Sequence, residues 1–293
     1  MKILVTGHGG MLAQALVPAL RHAGLIVIGM GRAECDITQA AAVRQVLERH
    51  RPDIVINTAA YTAVDQAECE PETAFAVNRN GVAHLAETCR ALEGTLIHVS
   101  TDYVFDGQGH RPYREDDATA PLGVYGQSKW EGEEAVRARH REHLILRTAW
   151  LYGSHGANFV TTMLRLGQDR SVLRVVHDQQ GCPTWCRDVA AVLVALCQRV
   201  KQDKTTMPWG TYHYCSAGQT TWFHFARTIF AEAQAFVPLA VPTVVPIPTA
   251  AYPTLARRPA NSVLDCAKIQ SAFGIVPPPW EQSLHKFMLK LYT

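Results

Sequence analysis

A doubly wound α/β fold on a parallel sheet, followed by a smaller second unit, is predicted by three features of this 293-residue chain. Short β-branched runs alternate with stretches of helical period through its first half. Those runs are apolar on both faces, as strands covered by helices on two sides must be, and a glycine-rich turn directly follows the first of them. At roughly 150 residues per domain the length allows about two domains.

The elements follow in order. Lys2 to Thr6 is a β-branched strand, and Met11, Leu12, Leu16 and Leu20 then recur at helical spacing until Gly24 stops them. Leu25 to Gly29 and Ala40 to His50 repeat the strand and helix, and so do Asp53 to Asn57 and Pro71 to Leu92, where proline suits a helix start. Thr95 to Ser100 leads to a helix over Tyr125 to His140, and His143 to Arg147 is the fifth strand. Ligands of such sheets bind beyond the carboxyl ends of the strands.

After Trp150 the alternation weakens. Asn158 to Gly167 reads as helix, Val172 to His177 as extended, Arg187 to Val200 as helix, and Lys201 to Gly210 as a polar connector. Thr221 to Ala235 and Glu281 to Tyr292 are helical. Pro238 to Pro259 is proline-studded, but its interleaved Leu, Val, Ile and Tyr favour an ordered segment closing over a site. The division expected is a cofactor-binding domain over residues 1–150 and a mainly substrate-binding domain over 151–293, with residues of about 170–200 returning to the first.

Composition excludes several classes. Charged residues make up 18% and apolar residues 47%, which argues against disorder. A net charge of +2 is too small to suggest a nucleic-acid or membrane partner. No apolar run is long enough to span a bilayer. The eight cysteines show no repeated short spacing. Cys182 and Cys186 lack a second pair, so no metal site is expected, and reduced thiols in a cytoplasmic protein are the natural reading.

Chemistry enters at Gly7-His8-Gly9-Gly10-Met11-Leu12-Ala13, where Gly7, Gly10 and Ala13 fit G-x-x-G-x-x-G/A. Small residues there let the backbone turn, approach a pyrophosphate and pack the helix on the sheet. His8 reads either as a pyrophosphate contact or as a loop residue facing solvent. The second strand ends without the carboxylate that a free ribose usually meets. Arg32 reads either as a partner for a 2′-phosphate or as a solvated loop arginine, so NADPH is expected, with NADH possible. In Tyr125-Gly-Gln-Ser-Lys129 the two ends share a helix face, where an ammonium lowers a phenol's pKa and makes it a usable acid. Thr101, at the end of the fourth strand, supplies a hydroxyl for the same carbonyl oxygen.

The glycine turn, that hydroxyl and Tyr-x-x-x-Lys together resemble the extended short-chain dehydrogenase/reductases, which have a Rossmann fold. Six segments narrow the resemblance to the dTDP-4-dehydrorhamnose reductase family, and they run essentially from end to end. They are the stretches Asn57 to Glu68, Ser100 to Asp106, Pro121 to Lys129, Arg147 to Tyr152, Asp178 to Thr184 and Arg258 to Ser262.

The resemblance implies reduction of the C4 ketone of dTDP-4-dehydro-6-deoxy-L-mannose to dTDP-L-rhamnose by NAD(P)H. It implies Tyr125 as proton donor, Lys129 as its ribose-binding partner and Thr101 as third catalytic hydroxyl. Gly7, Gly10, Met11, Leu12, Arg32, Asp36, Ile37, Ala60, Tyr61, Thr62 and Val99 fall along the cofactor, with Tyr125 and Lys129. Val64, Thr101, Asp102, Tyr103 and Trp150 face the sugar nucleotide, and for Trp150 a core aromatic is the competing reading. Ala15 and Arg187 stand where metal-bridged dimers of the family carry glutamates, so a monomer or a dimer without a metal bridge is expected. Two other functions stay open at this point: a reductase giving the 6-deoxy-L-talose epimer, and a cofactor-binding regulatory subunit.

Overall fold

In the computed structural model, which describes residues 1–238 and 241–293, the strands form one main sheet. Its six parallel strands are β1 (Lys2–Thr6), β2 (Ile26–Met30), β3 (Ile54–Asn57), β4 (Thr95–Thr101), β5 (His143–Thr148) and β6 (Gly210–His213). They lie in the order β6-β5-β4-β3-β1-β2. The chain winds outward in both directions from the boundary of β1 and β3, and this switch point opens a crevice at the carboxyl ends.

The helices are α1 (Met11–His22), α2 (Ala40–His50), α3 (residues 71–91), α4 (Val124–Arg139), α5 (Phe159–Asp169), α6 (Cys186–Gln202), α7 (Trp222–Gln234) and α8 (Trp280–Tyr292). Their ends have local causes. Gly24 takes φ +73° after α1, the Asn158 side chain accepts from Thr161 N at the start of α5, and Thr221 caps α7 in the same way.

Alternation along each strand builds two cores. Ile3, Val5, Ile54, Ile56, Ile97, Leu144 and Leu146 face α1 and α6, while Leu4, Val55, Leu96 and Ile145 face α2 and α3 on the other side. A third apolar core holds α5, α7 and α8 together with the strand Val172–Val176, which pairs in parallel with Thr243–Ile247.

Within residues 170–200, Leu173 and Val175 pack in the third core while α6 packs on α1. Two differences from the sequence expectation stand out. The sixth strand is not expected from the sequence, whose connector stops at Gly210, since Gly-Thr-Tyr-His is too short to show a period. The helix expected over Pro71 to Leu92 contains a wide π turn at Ala76–Gly81. The proline-studded stretch is ordered where described, and its residues 239 and 240 lie outside the described residues. Among the described residues no helix is long and apolar enough to cross a membrane.

Candidate active site

The crevice begins where β1 runs into Gly7, whose φ is +70°. A Cβ there would stand 2.7 Å from Ala59 Cα, so only glycine fits between β1 and β3. Gly10 N–H donates to Gly7 O at 2.8 Å, and Gly10 caps α1 with no side chain over the helix end. Met11 and Leu12 open the helix, Leu12 buried against the sheet. Unpaired N–H groups and the positive helix end suit a dinucleotide's pyrophosphate.

The other predicted cofactor residues rim this cradle. Arg32 is 83% exposed and reaches Asp36 at 3.4 Å. Asp36 is held by Thr38, which donates from N at 3.0 Å and from Oγ1 at 2.8 Å, and that contact keeps its pKa below the usual value. Ile37 is buried under α3, and its carbonyl meets His84 Nδ1 at 3.0 Å. A carboxylate does reach the end of β2 after all: Gly31 N–H donates to Glu34 Oε2 at 2.8 Å. Ala60, Tyr61 and Thr62 follow β3, and Asn78 clamps them by accepting from Tyr61 N at 2.9 Å and donating to Tyr61 O at 3.1 Å. The His8 ring lies against Gly29, and its Nδ1 is buried without a partner.

At the end of β4 the hydroxyl of Thr101 donates to Asp102 Oδ1 at 2.9 Å and accepts from Tyr103 N at 3.2 Å. A Cβ on Gly126 would overlap the Tyr103 carbonyl, so this glycine lets α4 approach and sets Tyr125 beside Tyr103, ring centroids 5.5 Å apart. The Thr101 hydroxyl also acts on the Tyr125 phenol, whose pKa it pulls down. Asn78 Nδ2 donates to Ser128 Oγ at 3.0 Å and Ser128 Oγ donates to Tyr125 O at 2.8 Å, which couples the Tyr61 loop to the catalytic helix.

Lys129 Nζ donates to the carbonyl of Val99 at 2.7 Å and lies 3.3 Å from His98 Nε2, and it makes no hydrogen bond to the Tyr125 phenol. Burial pushes the phenol pKa up to about 12, against the pull of the Thr101 hydroxyl. Burial also lowers Lys129 to about 8 and raises Asp102 to about 6, leaving Asp102 Oδ2 unpartnered.

Opposite these groups, Val64 starts a short helix, Val64–Ala67. Its neighbour Asp65 binds Arg258 through contacts of 3.0 and 2.7 Å and so ties down the segment ending at Ser262. Trp150 leaves β5 with φ +46°, a strained value for a residue with a side chain. Its Nε1 donates to Ser262 Oγ at 3.1 Å, and its indole stacks on Trp222 with centroids 3.4 Å apart. Trp222, Phe159, Arg170, Arg174, Tyr252 and Arg258 line an adjoining cavity of about 600 Å³. Trp150 is half-buried, packed on the core around Val104, Phe105 and Tyr113 and joined to that cavity through its stack on Trp222.

Of the residues expected from the sequence, Thr101, Asp102, Tyr103 and Tyr125 come together at the end of β4, Lys129 lies one turn further along α4, and Arg32 is exposed beyond β2. The sequence reading gave no role to His98, Asn78, Ser262, Trp222 or Arg258. Arg258 and Ser262 lie in a segment that carried the resemblance, which was the available signal; the others meet the site only through tertiary packing.

A phenol, a hydroxyl and an amine beside a dinucleotide cradle suit reduction of a carbonyl. All of residues 1–293 match the family model described as RmlD substrate binding domain. The dTDP-4-dehydrorhamnose reductase of Aggregatibacter actinomycetemcomitans is 45% identical over 285 residues, 97% of this chain and 97% of the relative. A crystal structure of a dTDP-4-dehydrorhamnose reductase from Clostridium acetobutylicum ATCC 824 superposes with a TM-score of 0.92 at 36% identity, covering 100% of both chains. The Bacillus anthracis str. Ames enzyme in complex with NADP gives a TM-score of 0.92 at 35% identity over 99% of each chain.

Proposed function

Because the chain belongs to the dTDP-4-dehydrorhamnose reductase family, we propose that Tyr125, Thr101 and Lys129 carry the chemistry of its reaction. That reaction is the NAD(P)H-dependent reduction of the C4 ketone of dTDP-4-dehydro-6-deoxy-L-mannose to dTDP-L-rhamnose. The cofactor is NADPH, with NADH accepted.

Gly7, Gly10, Met11 and Leu12 would hold the pyrophosphate, Arg32 and Asp36 the adenosine ribose, Ile37 the adenine edge, and Ala60 to Thr62 with Val99 the middle of the cofactor. When bound, the cofactor supplies hydride to the ketone carbon. Tyr125 gives its phenolic proton to the oxygen that becomes the C4 hydroxyl. Thr101 donates to the same oxygen, and Lys129 supports the phenolate left behind. Trp150, Tyr103 and Val64 fix the sugar ring, while Asp102 binds a sugar hydroxyl. The cavity beyond Trp222 takes the nucleotide, with Arg170, Arg174 and Arg258 facing its phosphates.

Residues 1–150, with α6 and β6, form the cofactor-binding domain, and the rest covers the substrate. The eight free cysteines support a cytoplasmic setting.

The observation that carries the reading is the meeting of Thr101 and Tyr125 at the crevice beside the glycine cradle. Incubation with dTDP-4-dehydro-6-deoxy-L-mannose and NADPH tests it. Loss of reduced nicotinamide absorbance, with a product whose H4 proton coupling is that of rhamnose, is expected. The talose coupling would overturn the stereochemistry, and no turnover would overturn the reductase itself.

A further inference from the structure

A row of hydrogen-bonded polar side chains crosses three adjacent strands of the sheet. The parallel register sets Thr6 on β1 opposite Asn57 on β3, and Asn57 opposite His98 on β4. All three are fully buried. Thr6 Oγ1 donates to Asn57 Oδ1 at 2.6 Å, and Asn57 Nδ2 contacts His98 Nδ1 at 3.0 Å. His98 Nε2 then stands 3.3 Å from Lys129 Nζ.

The direction of every hydrogen bond in this row is fixed by one backbone amide. Ala59 N–H can only donate, and it donates to Asn57 Oδ1 at 3.1 Å. Asn57 therefore turns its NH2 group to His98, and His98 Nδ1 must accept. A neutral imidazole that accepts at Nδ1 carries its proton on Nε2, the atom facing Lys129. An Nε2–H meets an ammonium donor to donor, whereas a neutral amine can accept it.

We propose that His98 is a positioning residue for Lys129, held by Asn57 as the Nε2–H tautomer so that its N–H faces the lysine amine and disfavours the ammonium. The inference rests on Lys129 acting with Tyr125.

The surroundings agree. Burial, and then the charges of Lys129, His143 and Arg137, push the His98 pKa well below its ordinary value, so the imidazole stays neutral. On Lys129, Glu133 one turn along α4 pulls the other way, but Arg147 and Arg137 already occupy its carboxylate. The Val99 carbonyl fixes Nζ whichever charge it carries. The row also connects Lys129 to Thr6, the residue before the Gly7 turn, so the cofactor loop and the catalytic lysine share one rigid frame.

Two measurements test this. In nitrogen-15 NMR of the unliganded protein, His98 should show the neutral Nε2–H tautomer from pH 6 to pH 9. An Nδ1–H tautomer or an imidazolium would overturn the proposal, and this readout needs neither turnover nor a variant. In the second, Asn57→Asp keeps the Thr6 and Ala59 contacts but gives His98 Nδ1 an acceptor. The Nε2 lone pair then faces Lys129 and favours its ammonium. The alkaline limb of kcat for ketone reduction should move up by about one pH unit or more, a tenfold change in proton affinity. His98→Gln, whose amide can keep both contacts, should leave the limb within a few tenths of a unit of its original place. An unmoved limb in Asn57→Asp, with NADPH affinity retained, overturns the proposal. Failure of the unmutated protein to reduce the ketone overturns the reductase reading instead, and the NMR result then decides the tautomer alone.

Discussion

Arg147 on β5 and Glu133 on α4 form a buried two-point ion pair, Nε to Oε1 at 2.9 Å and Nη2 to Oε2 at 2.7 Å. The guanidinium also lies over the Phe105 ring, 5.1 Å from its centroid, and reaches His213 Nε2 at 3.3 Å. The pair fastens the helix bearing Tyr125 and Lys129 to the sheet. Removing Arg147 leaves the buried Glu133 carboxylate with Arg137 as its remaining partner, so Arg147→Met should cost about 3 kcal/mol, the low end for a broken buried pair, in denaturant melts. Arg147→Met with Glu133→Leu should regain much of that. Burial raises the Glu133 pKa, but Arg147 and Arg137 pull it below its ordinary value. The pair's stabilisation is therefore complete above the unfolded carboxyl's pKa and is lost as pH falls through the folded one. Melting curves of unmutated protein and double variant should converge toward acid pH.

Tyr125→Phe removes the phenolic proton assigned to the ketone oxygen while keeping the ring against Tyr103. Steady-state kcat should fall by about 10²–10⁴-fold, the range for a lost general acid. NADPH affinity, measured by fluorescence titration, should stay nearly unchanged, because the glycine cradle at the start of α1 is untouched. Thr101→Ala should lower kcat by a smaller factor. Full activity in Tyr125→Phe would remove the phenol from the mechanism.

How much of this could be read in advance divides along physical lines. Main-chain periodicity gave β1 and α2 to the residue, because amphipathic spacing is a local property of the chain. Thr101 and Tyr125 were legible because their neighbours in sequence form the resemblance motifs. The Lys129 contacts were not. Helical spacing puts its Cα on the right face, but the Val99 carbonyl and His98 captured Nζ, and β-sheet register decides which side chains those are. Trp150 was ambiguous for a related reason: its strained backbone and its stacking on Trp222 depend on a residue 72 positions later.

Asp102 gives up stability at this site. Burial raises its pKa to about 6, and the hydrogen bond from Thr101 only partly offsets that. The folded chain then holds the proton more tightly than the unfolded one, so stability falls as pH rises from the unfolded carboxyl's value to about 6. Asp102→Asn should melt higher than the unmutated protein at pH 8, by about 2–3 kcal/mol, and equally at pH 4. Its affinity for the sugar nucleotide should drop. Equal melting at both pH values would show that the carboxyl is not desolvated.

Two side chains of opposite sign stand beyond the end of β2, and replacing them tests cofactor choice. Arg32 is free enough to turn from Asp36 to a 2′-phosphate, while Glu34, bound to Gly31 N, places a negative charge nearby. Arg32→Ala should lower kcat/KM for NADPH about tenfold, the value of one exposed charge-assisted contact, and leave NADH nearly unaffected. Glu34→Gln should shift the ratio the other way. An unchanged NADPH to NADH ratio in Arg32→Ala would remove the arginine from cofactor recognition.

The last prediction concerns metal. A divalent cation shared between two chains needs carboxylate oxygens, and the two positions at which a bridge is expected carry Ala15 on α1 and Arg187 on α6. Arg187 sits over the Trp185 ring, 5.6 Å from its centroid, so its cation is held near the surface where it repels a second cation. Among the described residues no three His, Cys, Asp or Glu side chains gather into a metal site. The molar mass from light scattering should therefore be the same with magnesium and with EDTA. A dimer that EDTA disperses would refute this. Ala15→Glu combined with Arg187→Glu supplies the missing carboxylates, and its mass should become magnesium-dependent if charge at these two positions is what prevents the bridge.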